Sequence, residues 1–274
     1  DTFNLGTTNY TLTITGTGTP LTATGTFSKG TGSTVVYTNG TSATVAAVNY
    51  QNLTLTPSSG TPAYTLDTGT TTVSGVLTNN ASSTLAIGSN TLNVTGNATN
   101  SGTITISTGT LDIDGNFTAG TLTASGAAVI NIAGNWSGVT AFTPSTSTVT
   151  FDGAADQTVT TAGQAFNNLT LNNTGVSGSD DIIISGALDV NGLLTITDGD
   201  LDVSTNDPNV NLAGGMTIGA NGSIDLSSYS GTWTFNGSGA LTDNRSTKGD
   251  LGTFTINGTS ATLTLGSDIK ATNI

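Results

Sequence analysis

Residues 147–171 read STVTFDGAADQTVTTAGQAFNNLTL. Thr148 to Phe151 alternates polar and apolar side chains, Gln157 to Thr160 does so again, and a third run closes on Leu169-Thr170-Leu171. Turns containing Gly153 and Gly163 separate the three. Alternation at period two is the signature of a half-buried strand. A relaxed copy occupies residues 33–55, STVVYTNGTSATVAAVNYQNLTL, and a fainter one runs from Thr232-Trp233-Thr234-Phe235 to Phe254-Thr255-Ile256.

Working outward from this stretch, the centres of such triplets fall at Thr54, Ser74, Asn93, Asp112, Asn131, Thr150, Thr170, Asp189, Asn211, Thr234 and Thr255. Successive centres are 20, 19, 19, 19, 19, 20, 19, 22, 23 and 21 residues apart. About three short strands per turn of this length, joined by Gly, Asn, Asp and Ser, predict an all-β fold, a right-handed parallel β-helix or β-solenoid with 19–23 residues per coil and no α-helix. Eleven or twelve coils at strand spacing make a rod of roughly 55 Å. One domain is expected over residues 1–274, with an internal duplication of about 33–146 and 147–250. The longer spacing after Asp189 predicts wider corners near Asp207-Pro208 and Ser227 to Gly231.

The first and last residues of each triplet should point inward and the middle ones outward. Asn93, Asp112, Asn131, Thr150, Thr170 and Asp189 are therefore read as one outward ladder. Its acidic members have neutral neighbours, as repulsion between stacked like charges requires. The pairs Gly96-Asn97, Gly115-Asn116 and Gly134-Asn135 are read as corners that need positive φ. Trp136, Trp233, Phe151, Phe166 and Tyr50 are read as core or corner filling. The sequons at Asn52, Asn135 and Asn168 follow from a composition rich in Asn and Thr.

Composition narrows the function. Charged residues are 8% of the chain and hydrophobic ones 34%, with 37 Gly, against about 25% charged in ordinary domains. Such a chain would suit disorder were its apolar residues not so regularly placed. The formal net charge is −13 and the basic residues are only Lys29, Arg245, Lys248 and Lys270. Neither nucleic acid nor an anionic membrane surface suits that balance. Cys and His are absent, so there is no disulfide and no thiolate or imidazole metal site. No apolar run is long enough to insert in a membrane. The chain opens Asp1-Thr2-Phe3 and is read as a segment of something longer.

The acidic residues Asp198, Asp200, Asp202 and Asp207 form a candidate calcium site, calcium being the one cofactor considered, because carboxylate-rich turns supply the six to eight oxygens it takes. Asp112, Asp114, Asp180 and Asp181 form a second acidic group. Hydrolase chemistry needs paired carboxylates in a groove, or a base with basic partners; paired Asp are present, but Glu and His are absent and no Lys or Arg lies near the Asp cluster, so no enzyme is expected. Threonine pairs such as Thr103-Ile104-Thr105 and Thr121-Leu122-Thr123 would suit a flat ice- or carbohydrate-binding face, although Ala86, Ala133 and Asp152 interrupt the columns.

The run from Ser147 to Asn172, with ISGALDVNGLLTITDGDLDV at 184–203, resembles the repeats of very large bacterial cell-surface β-helix proteins, akin to filamentous-haemagglutinin and autotransporter passenger domains. That resemblance implies an extracellular stalk, fibre or adhesin shaft without catalytic residues. The expected partners are copies of the chain stacked end to end or flanking repeats of a longer polypeptide, and a glycan or host surface. Residues Phe3 to Leu5, Tyr10 to Thr15 and Ala261 to Ile274 still read as coil, which suits such stacking.

Overall fold

The computed structural model describes residues 2–258 and 260–272. Asn273 and Ile274, the end of the last stretch read as coil, lie outside the described residues. Among the described residues there are 31 strands and no helix. The strands run parallel and stack as a β-solenoid of about 13 turns, more than the eleven or twelve drawn from the triplet count, because coils precede Thr54 that the triplet series does not include. By contacts the chain divides into two compact units, Asp1–Asn131 with Gly138–Ser145 and Ile132–Ser137 with Thr146–Ile274. A solenoid coil touches only its neighbours, so compactness is local by construction.

In the first unit each turn supplies one strand to each of three stacks. The first stack contains Thr11–Ile14, Thr34–Tyr37, Asn52–Leu55, Leu77–Asn79 and Ala98–Asn100. Leu12, Val35, Leu53, Leu77, Ala98 and Phe117 follow one another in register along its inner side. The second stack places Ala43, Tyr64, Leu85, Ile104 and Leu122 in register, and the third Tyr50, Val73, Val94 and Ile113. All these residues but Leu12 are buried, while the residues between them are half-exposed or exposed. The alternation in the sequence thus becomes an inside and an outside.

Three tyrosines fill the early coils. Tyr50 Oη donates to Ala46 O at 2.9 Å and Tyr64 Oη to Asn39 O at 2.9 Å. Burial pushes the phenols of Tyr37, Tyr50 and Tyr64 above their ordinary range. Further along, the inward column carries Asn79 and Asn100 in place of aliphatic side chains. Asn79 Nδ2 donates to Asn100 Oδ1 at 2.7 Å and to Thr103 O at 3.0 Å, and Asn100 Nδ2 donates to Ala119 O at 2.6 Å and Thr121 O at 2.9 Å. Each buried amide is therefore satisfied by the next turn, as burial demands.

The corners follow the same axial rule. Asn52 Oδ1 accepts Val76 N at 2.9 Å, Asn97 Oδ1 accepts Asn116 N at 2.9 Å, Asn135 Oδ1 accepts Thr158 N at 2.7 Å and Asn168 Oδ1 accepts Leu193 N at 2.9 Å. The sequon asparagines are corner locks. Gly96 and Gly115 are not among the positive-φ glycines, so the expected reason for glycine there is corrected. A Cβ at Gly96 would meet Gly75 O at 2.4 Å, and one at Gly115 would meet Gly96 O at 2.5 Å. Crowding of one corner against the previous one, not backbone handedness, requires glycine at these two positions.

In the second unit the first stack carries Val149, Leu169, Leu194, Met216, Leu241 and Leu265 in one register column and Phe151, Leu171, Ile196, Ile218 and Asp243 in another. Trp136, Phe151 and Phe166 pack edge to face with centroids 6.0–6.3 Å apart. Asp243 takes an aliphatic residue's place with its side chain 0% exposed. Arg245 grips it in a fork, Nη2 at 2.8 Å from Oδ2 and Nε at 3.0 Å from Oδ1, and Lys248 Nζ lies 4.0 Å from Oδ1. Burial pulls this carboxyl up, but the Arg245 hydrogen bonds and the two positive charges outweigh it and hold it below the ordinary carboxylate range.

Among the described residues three buried polar atoms, Asn39 Oδ1, Thr71 Oγ1 and Ser147 Oγ, have no hydrogen-bond partner. Thr71 is fully buried beside Leu92, and its hydroxyl has no hydrogen-bond partner. Replacing an unsatisfied buried hydroxyl with a methyl of similar shape removes a desolvation cost of about 1–3 kcal/mol. Thr71→Val is therefore expected to raise the denaturant midpoint at unchanged m-value by about 1 kcal/mol of stability, and a loss of stability would contradict this packing.

Candidate functional site

The outward residues and the acidic corners are the surfaces that this core presents to solvent. The six residues read as one ladder all face outward and are half-exposed. They do not form one column. Asn93 lies between Thr72 and Asp112 in register. Thr150 lies beside Thr170, but the next neighbour of Thr170 is Thr195, not Asp189. Asp189 belongs to another stack, between Ala165 and Asn211, with Asn211 Nδ2 donating to its Oδ1 at 2.7 Å. Asn131 faces outward from Val129–Ile132. The correction has a simple cause. The turn from Thr170 to Thr195 is 25 residues long, so a step of 19 stops one face short. The outward column that does exist is Thr150, Thr170, Thr195, Thr217 and Thr242.

Asp181, Asp200, Asp202 and Asp225 of the second unit share its second stack. Asp181 is in register with Asp200, and Asp202 with Asp225. Asp156 approaches through its Oδ1, which accepts Asp181 N at 3.2 Å. Like charges do stack here, against the expectation drawn from the ladder. Asp180 and Asp181 join the group at 198–202, whereas Asp112 and Asp114 belong to the other unit.

Three of the four candidate calcium ligands accept loop amides, and the fourth, Asp200, accepts from a neighbouring strand. Asp198 Oδ1 accepts Gly199 N at 3.0 Å and Asp207 Oδ1 accepts Ser230 N at 2.7 Å. Asp202 Oδ1 accepts Ser204 N at 2.8 Å and Thr205 N at 2.9 Å, and Asp200 accepts the Ser223 hydroxyl. Among the described residues no group of three or more acidic side chains converges to hold a metal ion. Of the four residues read as a calcium site, Asp198, Asp202 and Asp207 aim their carboxylates at different backbone amides and Asp200 aims its own at the Ser223 hydroxyl.

Burial raises the carboxyl of Asp181, helped by Asp156, Asp200, Asp202 and Asp180. Burial also raises Asp200, against a lowering hydrogen bond from Ser223, with Asp180, Asp225 and Asp202 adding to the rise. Asp225 is lowered by the Ser204 and Ser227 hydrogen bonds.

No protein-family model, curated protein or solved structure matches the chain. Among the described residues no helix is long and apolar enough to cross a membrane.

For Asp181 and Asp200, whose folded pKa values lie above the unfolded one, stability is full below the ordinary carboxylate range and falls as pH rises through the raised values. Asp225 and Asp243 have the opposite sign and matter only as pH drops below that range. Stability by chemical denaturation is thus expected to be greater near about pH 5 than at pH 7. Asp200→Asn should raise the pH 7 value by up to about 1 kcal/mol and flatten that slope. A variant less stable at pH 7 would contradict the stacked-charge account.

Proposed function

We propose that this chain is an extracellular, non-enzymatic structural protein: a filament subunit, or a rod or stalk segment of a large surface adhesin, built by continued stacking of solenoid coils. The observation that carries this reading is the run of parallel registers through each unit, in which every turn finds its backbone and corner partners on the next. Axial hydrogen bonding over a narrow apolar core is a stiff element, and the outward residues are mostly uncharged Thr and Asn. The scarcity of basic residues leaves trypsin almost nothing to cut between Lys29 and Arg245. Coil edges can template further coils, so copies of the chain or neighbouring repeats are the natural partners. Negative-stain microscopy of the purified chain is expected to show thin uniform fibres that lengthen with concentration. Dispersed particles at every concentration would remove the filament form of the proposal.

A second reading, a surface-binding module on the same scaffold, is favoured by one register. In the first unit Thr84, Thr103 and Thr121 stack in one outward column, and Thr65, Ala86, Thr105 and Thr123 in the next. Only Ala63 and Ala86 interrupt this two-column face. Thermal hysteresis lost in Thr105→Lys would support an ice-binding face, and freezing behaviour equal to that of an inert protein would dismiss it.

A further inference from the structure

In the third stack of the second unit Asp189, Asn211, Thr234 and Thr255 are in register, 22, 23 and 21 residues apart, against 19 from Thr91 to Thr110 in the first unit. The surplus goes into the corners. Leu226 to Gly231 forms one such corner, and the next turn's corner ends at Leu251 to Thr253. Between them lies a cleft of about 220 Å³ lined by Leu226, Tyr229, Trp233, Leu251, Gly252 and Thr253. Close-packed interiors leave few voids larger than a water molecule, so a space of this size is a feature of the corner.

The cleft is held open and its walls are fixed. Tyr229 Oη sits 2.8 Å from Pro208 O and 2.9 Å from Thr232 O, donating between them. Its ring stands at 83° to Trp233, with centroids 6.5 Å apart. A Cβ at Gly231 would meet the Tyr229 ring at 2.7 Å, so only glycine lets the ring lie against that backbone. Gly252 has φ +73°, and a Cβ there would press on Leu226 Cδ1 at 3.3 Å. The loops on both sides are pinned by carboxylates: Asp207 accepts Ser230 N at 2.7 Å, Asp225 accepts Ser227 N at 2.8 Å and Asp250 accepts Gly252 N at 2.9 Å. Burial, with Asp207 nearby, pushes the Tyr229 phenol up to about 12, so the ring is neutral at physiological pH.

We infer that this cleft is a binding site for a single uncharged sugar ring. The volume is below the roughly 300–1,000 Å³ of pockets for larger ligands, which suits one pyranose. The half-exposed Tyr229 and Leu226 offer apolar surface to one face of such a ring, with Trp233 and Leu251 buried behind them. The surrounding acceptors, carbonyls and carboxylates, suit hydroxyl donors. The carboxylates at 207, 225 and 250 repel an anion, and the nearby cations Arg245 and Lys248 are already engaged by Asp243. This inference goes beyond the structural role, because coil stacking does not need the cleft and would persist without it.

The test titrates the intact chain with glucose, galactose, mannose and N-acetylglucosamine at millimolar concentrations, using N-acetylneuraminate as an anionic control. Binding is read by saturation-transfer NMR and by tryptophan emission, to which the cleft contributes Trp233. At least one neutral sugar should take up saturation mainly on one ring face and shift the emission, and the acid should do neither. Tyr229→Ala should weaken binding by about tenfold or more, while Tyr229→Phe, which keeps the ring, should stay close to the parent. Thr253→Trp, at an exposed mouth position, should block binding and leave the circular dichroism spectrum unchanged, which covers the case in which Tyr229→Ala fails to fold. No signal from any of the four sugars, or a signal that survives Thr253→Trp, would overturn the inference. Fibre formation is scored on the same variants and should be unaffected, so failure of the sugar site and failure of the filament proposal are separable.

Discussion

The constraint on which the whole structure depends is the parallel backbone register between one turn and the next. Strands 4.7–4.9 Å apart place each inward side chain on its counterpart, each outward side chain beside its counterpart, and each corner against the previous corner. Every position is answerable to a residue one turn away. This is why the core reads Val149, Leu169, Leu194, Met216, Leu241 along one line. It is also why a glycine at 115 is needed because of the glycine at 96.

Polar groups inside such a structure cost least where they are paired. Asn79 and Asn100 donate to the following turn, and Asp243 replaces an aliphatic residue only with Arg245 and Lys248 to neutralise it. Asn52, Asn97, Asn135 and Asn168 close corners in both units. In the corners at Asp202, Asp207, Asp225 and Asp250 carboxylates cap the loop amides instead, and the loops around Tyr229 and Leu251 enclose space.

Much of this was legible in the sequence, and the reasons for the rest are physical. Alternation declares which side chains face in, and the recurring triplets declare a coil of about twenty residues. Neither reveals how long a particular turn is. The ladder drawn through Thr170 and Asp189 therefore slips sideways, and the true neighbour Thr195 is missed. The same blindness hides the pairing of Asp181 with Asp200 and of Asp202 with Asp225. Asn79 and Asn100 end their strands at inward positions, but a polar residue in a triplet is read as outward unless its partners are known. The cleft left a trace, the lengthened spacing and the wider corner forecast at Ser227 to Gly231, whereas its walls needed the fold to bring Leu251 to Tyr229.

The register itself is the claim to measure. The chain has no cysteine, so two double-cysteine variants suffice: Thr170→Cys with Thr195→Cys, and Thr170→Cys with Asp189→Cys. Adjacent strands place paired Cα atoms within the roughly 4.4–6.8 Å that a disulfide spans. Under mild oxidation the first pair is predicted to close an intramolecular disulfide, seen by peptide mass mapping, while the second remains reduced. Closure of the 170–189 pair with the 170–195 pair left open would contradict the account.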